Sequence, residues 1–280
     1  MEKRGNRVEG DEPRARVEGG EHREKKPFYA RPRPRPQGEA KSEFIFGIQP
    51  VLEAIRAGKE IDKLLVQREL GNVEVLEFAR LRNIPTQKVP KQKLDQITRK
   101  NHQGVIAFIS AIHYAKLENV VADIFEQGKT PLLLVLDRVT DVRNFGAIAR
   151  TAECAGVQAL VIPAKGGAQI NSDAMKTSSG ALNFLPVCRE NDLLETVRFL
   201  QNSGIQVVAC TEKVSKTLYE ADFSVPTAII LGSEEDGISD QLLRTADELV
   251  SIPMAGRVAS LNVSVANGII LYEAIRQRIS

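Results

Sequence analysis

From residue 131 onward the chain repeats one pattern: a short run with no polar side, followed by a longer amphipathic stretch. Leu132–Leu136 reads Leu-Leu-Leu-Val-Leu. A strand that is apolar on both faces needs both faces covered, which is the situation of a parallel sheet with helices on either side. Similar runs at Ala159–Ile162, Ile205–Ala209, Ala228–Leu231 and Leu249–Ile252 are expected as strands. Phe145–Ala155, Leu193–Ser203, Asp240–Ala246 and Val263–Arg278 are expected as helices. The fold class is therefore α/β. Ligands of such sheets bind beyond the carboxyl ends of the strands, so the segments that leave those ends carry the functional argument.

A smaller α/β module precedes this one. Helices are expected at Pro50–Ala57, Val73–Arg82 and Lys91–Ile97, and strands at Lys63–Val66, Thr86–Val89 and Gly104–Ser110. The domain boundaries that follow are residues 43–115, a linker with some helix at 116–130, and 131–280. Asn101-His102-Gln103-Gly104 either holds a ligand in a loop or is a plain turn. Residues 1–42 contain Arg31-Pro32-Arg33-Pro34-Arg35-Pro36, which cannot be helical, and few apolar residues to bury, so a disordered tail is expected. Of the chain's 38 basic and 36 acidic residues, twelve and eight lie in this tail, leaving it at +4 and the remainder at −2. The tail reads equally well as a tether for phosphates or as a solubilising extension.

Three segments leave strand ends. The first is Asp137-Arg138-Val139-Thr140-Asp141-Val142-Arg143-Asn144, continuing through Phe145-Gly146-Ala147-Ile148-Ala149-Arg150. Asn144 suits a helix cap, and Arg150 lies about two turns into the helix. The second is Leu231-Gly232-Ser233-Glu234-Glu235-Asp236-Gly237-Ile238. Its acids would repel a phosphate and tolerate a cation such as a sulfonium; a polar surface loop is the alternative. The third runs from Ile252-Pro253-Met254 to Ser260-Leu261-Asn262, with Ser260 or Asn262 able to cap the last helix. In that helix Leu261, Val265, Ile269, Tyr272, Ile275 and Ile279 repeat at helical spacing and are expected to face the core, while Ala266 and Gly268 permit close packing.

Other chemistries are disfavoured. No Gly-x-Gly-x-x-Gly follows a strand, and no phosphate-binding loop ending in Gly-Lys-Ser/Thr occurs. His22, His102 and His113 are the only histidines, so the second domain has none for acid/base work. Cys154, Cys188 and Cys210 share no metal-ligand spacing and read as buried free thiols. No apolar run reaches the length of a membrane span, and the N-terminus has no apolar signal core, so a cytoplasmic protein is expected.

The segments Asn144–Arg150, Leu231–Glu234 and Ser251–Met254 with Ser260–Ala266, in this order, resemble the three motifs of the SpoU (TrmH) family of SPOUT RNA methyltransferases. Together they are highly specific, and the resemblance covers residues 131–280. Residues 44–114 resemble the small RNA-binding domain that precedes the catalytic domain in this family, and the layout is most similar to that of 23S rRNA guanosine-2′-O-methyltransferases. The resemblance implies a deep C-terminal trefoil knot, which no periodicity could reveal, and a homodimer. It implies S-adenosylmethionine, with no metal, held by Gly232, Ile252 and Leu261 with Thr211, Leu231 and Met254 beside them. It also implies an active site of Arg150, Asn144, Glu234, Ser260 and Asn262. The expected reaction is methylation of a ribose 2′-hydroxyl on RNA, either 23S rRNA or a ribosome-assembly intermediate. A tRNA substrate, a non-catalytic RNA-binding assembly factor and an unrelated metabolic α/β enzyme are the rival readings.

Overall fold

A computed structural model describes residues 44–69, 73–257 and 260–279. The Arg/Pro-rich segment 1–42 lies outside the described residues, as do Val258 and Ala259 of the third motif.

The first sheet is built from β1 (Phe44–Phe46), β2 (Ile61–Gln67), β3 (Thr86–Val89) and β4 (Val105–Ile109), in the order β1-β4-β2-β3. Only the β2–β3 pair is parallel. Helices α1 (Ile48–Arg56) and α2 (Val73–Leu81) cover one face through Val51, Leu52, Ile55 and Ala79. Helix α3 (Lys91–Ile97) covers the other through Leu94. α1 starts two residues ahead of the expected Pro50, because Gln103 Oε1 accepts the Ile48 N–H at 3.0 Å and completes the first turn from outside. His102 is buried; its Nδ1 accepts from Gly104 N at 3.0 Å, so Nε2 is left to donate to Asp95 at 2.9 Å. The Asn101–Gly104 segment is thus a turn whose histidine and glutamine are engaged in holding the domain together.

A segment at 110–115 leads into α4 (Leu117–Glu126), whose Leu117, Val121 and Ile124 are buried against the second sheet. That sheet comprises β5 (Leu132–Leu136), β6 (Ala159–Pro163), β7 (Val187–Glu190), β8 (Gln206–Cys210), β9 (Thr227–Leu231) and β10 (Glu248–Val250). They lie in the order β10-β8-β9-β5-β6-β7, all parallel. The apolar strands divide their side chains by alternation: Leu132, Leu134 and Leu136 pack on one face, Leu133 and Val135 on the other. The first face carries α5 (Val142–Cys154), α6 (Ser172–Thr177) and α9 (Val263–Arg278). The second carries α4, α7 (Leu193–Asn202) and α8 (Asp240–Thr245). Chain order runs outward from β5 to β7 and then crosses back to β8, so the direction reverses around β5 and β9.

Three sequence expectations change. α5 begins at Val142, capped by Asp141, whose Oδ1 accepts from Asn144 N at 2.7 Å; Asn144 is the third residue of the helix, and its side chain is released for other work. In α9 the core face is Val263, Asn267, Ile270, Leu271 and Ala274. Of the expected stripe, Val265, Tyr272 and Ile279 are exposed, and Ile269 and Ile275 reach only the rim of the core. α9 is apolar on two faces, and polar Asn267 and Glu273 sit on the buried one. Third, Cys188 is buried but Cys154, at the end of α5, is exposed. No described helix is long and apolar enough to cross a membrane.

Candidate functional site

The carboxyl ends of β5, β8, β9 and β10 are stitched into one edge. Asp137 N donates to Leu231 O at 2.8 Å, and Thr211 N donates to Val250 O at 2.8 Å. The chain turns back after β9 in a very tight loop, in which Ser233 and Gly237 exchange both backbone hydrogen bonds, at 3.1 and 3.0 Å. A Cβ on Gly232 would lie 2.1 Å from the Gly237 carbonyl carbon and 2.3 Å from Ile238 N. No side chain fits there, so glycine is required by close approach of backbone.

Two side chains brace this loop against β5. Asp137 is buried; its Oδ2 accepts from Ser239 N at 2.7 Å and its Oδ1 from Arg138 Nε at 3.3 Å. Arg138 has a left-handed backbone, φ 59°. That conformation is unfavourable for a side-chain-bearing residue, and it turns the guanidinium toward Gly237 O at 3.1 Å and Asp236 at 3.3 Å. Gly146 serves packing: a Cβ there would lie 2.6 Å from Thr177 Cβ on α6, so α5 and α6 pack with almost no separation.

The three motifs meet in one side-chain cluster. Glu234 Oε1 accepts from Asn144 Nδ2 at 2.9 Å and from Asn262 Nδ2 in a still shorter bond. Asn262 Nδ2 also donates to Asn144 Oδ1 at 3.1 Å. Asn262 Oδ1 is turned the other way and caps α9, accepting from Ser264 N at 2.9 Å and Ser264 Oγ at 2.6 Å. The cap fixes the amide orientation, and the amide fixes the carboxylate. Among the described residues Glu234 Oε2 has no partner within the chain.

A cavity of about 420 Å³ lies beside this cluster, beyond the ends of β8, β9 and β10. All six cofactor candidates, Thr211, Leu231, Gly232, Ile252, Met254 and Leu261, line it, and so do Glu234 and Ser260. Its lining combines apolar Leu231, Ile252, Leu261 and Val263 with acidic Glu234, Glu235 and Asp236. Cys210, Glu212 and Lys213 also line it; they lie at and just after the end of β8, a strand end that the sequence marks only through Thr211. Burial, with Glu212 adding to it, pushes the Cys210 thiol up to about 12, so it stays protonated at neutral pH. A second cavity of about 400 Å³ shares Ser233–Asp236 and Val263 with the first and adds Asn144, Asp141 and Arg138. Arg150 is exposed on α5 and lines neither cavity. It follows Asn144 by six residues, about 240° around the helix, and so leaves from another side. Among the described residues no group of three metal-ligating side chains occurs.

A lining that offers both apolar side chains and carboxylates suits S-adenosylmethionine, which carries an apolar ring and a positive sulfonium. Comparison with known proteins points the same way. Residues 131–272 match the model of the SpoU rRNA Methylase family, and residues 44–115 match that of RNA 2′-O ribose methyltransferase substrate binding. A 23S rRNA (guanosine-2′-O-)-methyltransferase, RlmB, of Photorhabdus laumondii is 43% identical over 85% of this chain and 100% of its own. The SpoU methyltransferase AviRb from Streptomyces viridochromogenes, solved with AdoMet, superposes with a TM-score of 0.54 at 28% identity, covering 84% of this chain and 90% of that one. The TrmH/SpoU tRNA modifying enzyme of A. aeolicus, at 34% identity and a TM-score of 0.50, covers 58% of this chain and 84% of its own. The chain belongs to the SpoU rRNA methylase family.

Proposed function

We propose that this protein transfers a methyl group from S-adenosylmethionine to the 2′-hydroxyl of a guanosine in 23S rRNA, in the cytoplasm. The observation that carries the reading is the adjacency of two cavities. One, lined by Gly232, Ile252, Leu261, Thr211, Leu231 and Met254, suits the cofactor; the other opens onto Asn144 and Glu234, which Asn262 holds in place. The rRNA reading draws on coverage: the rRNA enzyme is matched over both domains, the tRNA enzyme over 58% of the chain.

Bound S-adenosylmethionine supplies an electrophilic methyl group on a sulfonium. The chain's task is to position and activate a ribose oxygen. Glu234 Oε2, left open by the clamp on Oε1, accepts the 2′-O–H hydrogen bond and aims the oxygen lone pair. Asn144 and Asn262 hold that carboxylate, and Ser260 contacts the substrate at the cavity rim. Arg150, whose guanidinium never gives up its proton, donates a hydrogen bond to the ribose oxygen as charge develops, and the 2′-proton passes to water.

Arg150 stands apart from Glu234 within one chain, which favours a homodimer. Its neighbour Thr151 lies against Gly268 of α9, and α9 presents Val265 and Tyr272, both more than half or about half exposed, on its outer face. A second copy seated on that face covers the apolar stripe and brings Arg150 to the other copy's centre. The trefoil knot of the family is proposed for this chain, with its last helix anchored at the far end. Arg278 donates to Thr130 O, Pro131 O, Phe223 O and Val225 O, so α9 ends between the start of β5 and the segment that joins β8 to β9.

Labelled S-adenosylmethionine and RNA, followed by alkaline hydrolysis, test the proposal. A 2′-O-methyl group blocks cleavage at its own phosphodiester, so label recovered in an alkali-resistant dinucleotide supports it. Label in mononucleotides places the methyl on a base and refutes it.

A further inference from the structure

A third cavity, of about 410 Å³, lies between the two domains. Its floor is the loop that follows β6, and its wall is formed by β2 and β3 of the first sheet. Gly166 lines this cleft and also the cavity beside Asn144 and Glu234. That cavity in turn shares Ser233–Asp236 with the cofactor site. The three cavities therefore follow one another along the carboxyl edge of the large sheet, each sharing lining residues with the next.

The charges of the cleft are unbalanced in a specific way. Asp62 is its buried carboxylate, and it is fully engaged: Tyr114 Oη donates to Oδ1 and Ile170 N to Oδ2 at 3.1 Å, with Arg189 Nη1 at 3.9 Å. Arg189 is spent on the same node, donating to Ile61 O at 2.9 Å and lying 4.1 Å over the Tyr114 ring. Asp62 and Arg189 cancel and lock the domains together. Lys63 and Lys165 remain, and among the described residues neither has a carboxylate partner. Lys63 is partly buried, and its charged neighbour is Lys93, another cation; burial and then Lys93 pull its pKa below the usual lysine range. A partly buried lysine with no carboxylate beside it favours an anion at the cleft.

We propose that this interdomain cleft holds the RNA backbone next to the methylated nucleotide, with Lys63 and Lys165 each neutralising one phosphate. The proposal rests on the RNA-methylation reading above. The target ribose enters the middle cavity, and the flanking strand continues past Gly166 into the cleft, where Thr86 and Gln87 offer polar contacts. The first domain thus contributes β2 and β3 to substrate binding, and the Asp62–Tyr114–Arg189 node keeps them at the distance the strand requires.

The test uses the full chain and three variants: K63Q, K165Q and their combination, with K129Q as a surface control at the opposite edge of the sheet. Methyl transfer to RNA is followed against KCl concentration. For the combined variant we expect KM for RNA to rise about tenfold near 0.15 M salt, and the slope of log(kcat/KM) against log[salt] to become shallower by about 1.4, the counterions of two phosphates on a single strand. kcat, cofactor affinity and Tm stay at wild-type values, and K129Q changes nothing. An unchanged KM and slope in the combined variant, or an equal effect of K129Q, overturns the cleft proposal. Failure of the wild-type chain to methylate any RNA would instead refute the reading on which it rests.

Discussion

Gly232→Ala tests whether the backbone turn after β9 is what shapes the site. The new Cβ would lie 2.1 Å from the Gly237 carbonyl carbon and 2.3 Å from its oxygen. Carbon atoms rest about 3.5–4.0 Å apart, so the loop would have to open by roughly 1.5 Å. The obstructing atoms are backbone and cannot rotate away. Overpacking costs about 1–3 kcal/mol, and a clash against backbone belongs at the upper end, about 3 kcal/mol. For a chain of this size that corresponds to a fall in Tm of roughly 6–12 °C. Opening also breaks the paired Ser233–Gly237 bonds and displaces Glu234. A shift of about 1 Å at a positioning group is worth on the order of 100-fold in rate. Scanning calorimetry, S-adenosylmethionine titration and single-turnover methyl transfer read the three effects. A G232A protein with wild-type Tm, cofactor affinity and rate would show that the loop tolerates a side chain and that its close approach has no role.

Arg150→Ala should lower single-turnover transfer by about 100-fold or more while S-adenosylmethionine affinity, measured by calorimetry, stays unchanged, because Arg150 lines neither cavity. Val265→Asp with Tyr272→Asp should convert the protein to a monomer by light scattering, with transfer lost and Tm of the isolated fold little changed, since both side chains are exposed. Arg278→Ala removes four carbonyl contacts and should cost about 3 kcal/mol in urea denaturation. Burial raises the Cys188 and Cys210 thiols from 9.0 to about 12 in the folded chain. Their contribution is thus fully present below about pH 9 and is lost as pH climbs toward about 12. Urea midpoints should fall over that window, and less steeply in C188A/C210A.

The parts of the fold legible in the sequence are those with a single dominant cause. Leu132–Leu136 and Val263–Arg278 fall where the apolar pattern places them, because no competing period exists. Ser172–Thr177 and Val187–Glu190 escape the reading. The first is one short turn and a half capped by Asn171, and the second is an edge strand whose Arg189 and Glu190 break the apolar run. The buried face of α9 is not legible in the sequence, because two apolar stripes share one helix and only packing selects between them. Asn144 resembles a cap only if the helix starts at Phe145; Asp141, three residues earlier, takes that task. Motif residues reveal the cluster of Asn144, Glu234 and Asn262, whose members come from three strand ends. The Asp62–Tyr114–Arg189 node has no local signal at all, since its members lie 52 or more residues apart and meet only through the docking of two domains.

The central claim is tested most directly by incubating the protein with unmodified 23S rRNA and methyl-labelled S-adenosylmethionine, then digesting the RNA to nucleosides and separating them. Label is expected in 2′-O-methylguanosine, at a level approaching one methyl per rRNA, without added metal. Label in a base-methylated nucleoside, or cofactor binding with no label in the RNA, would contradict it.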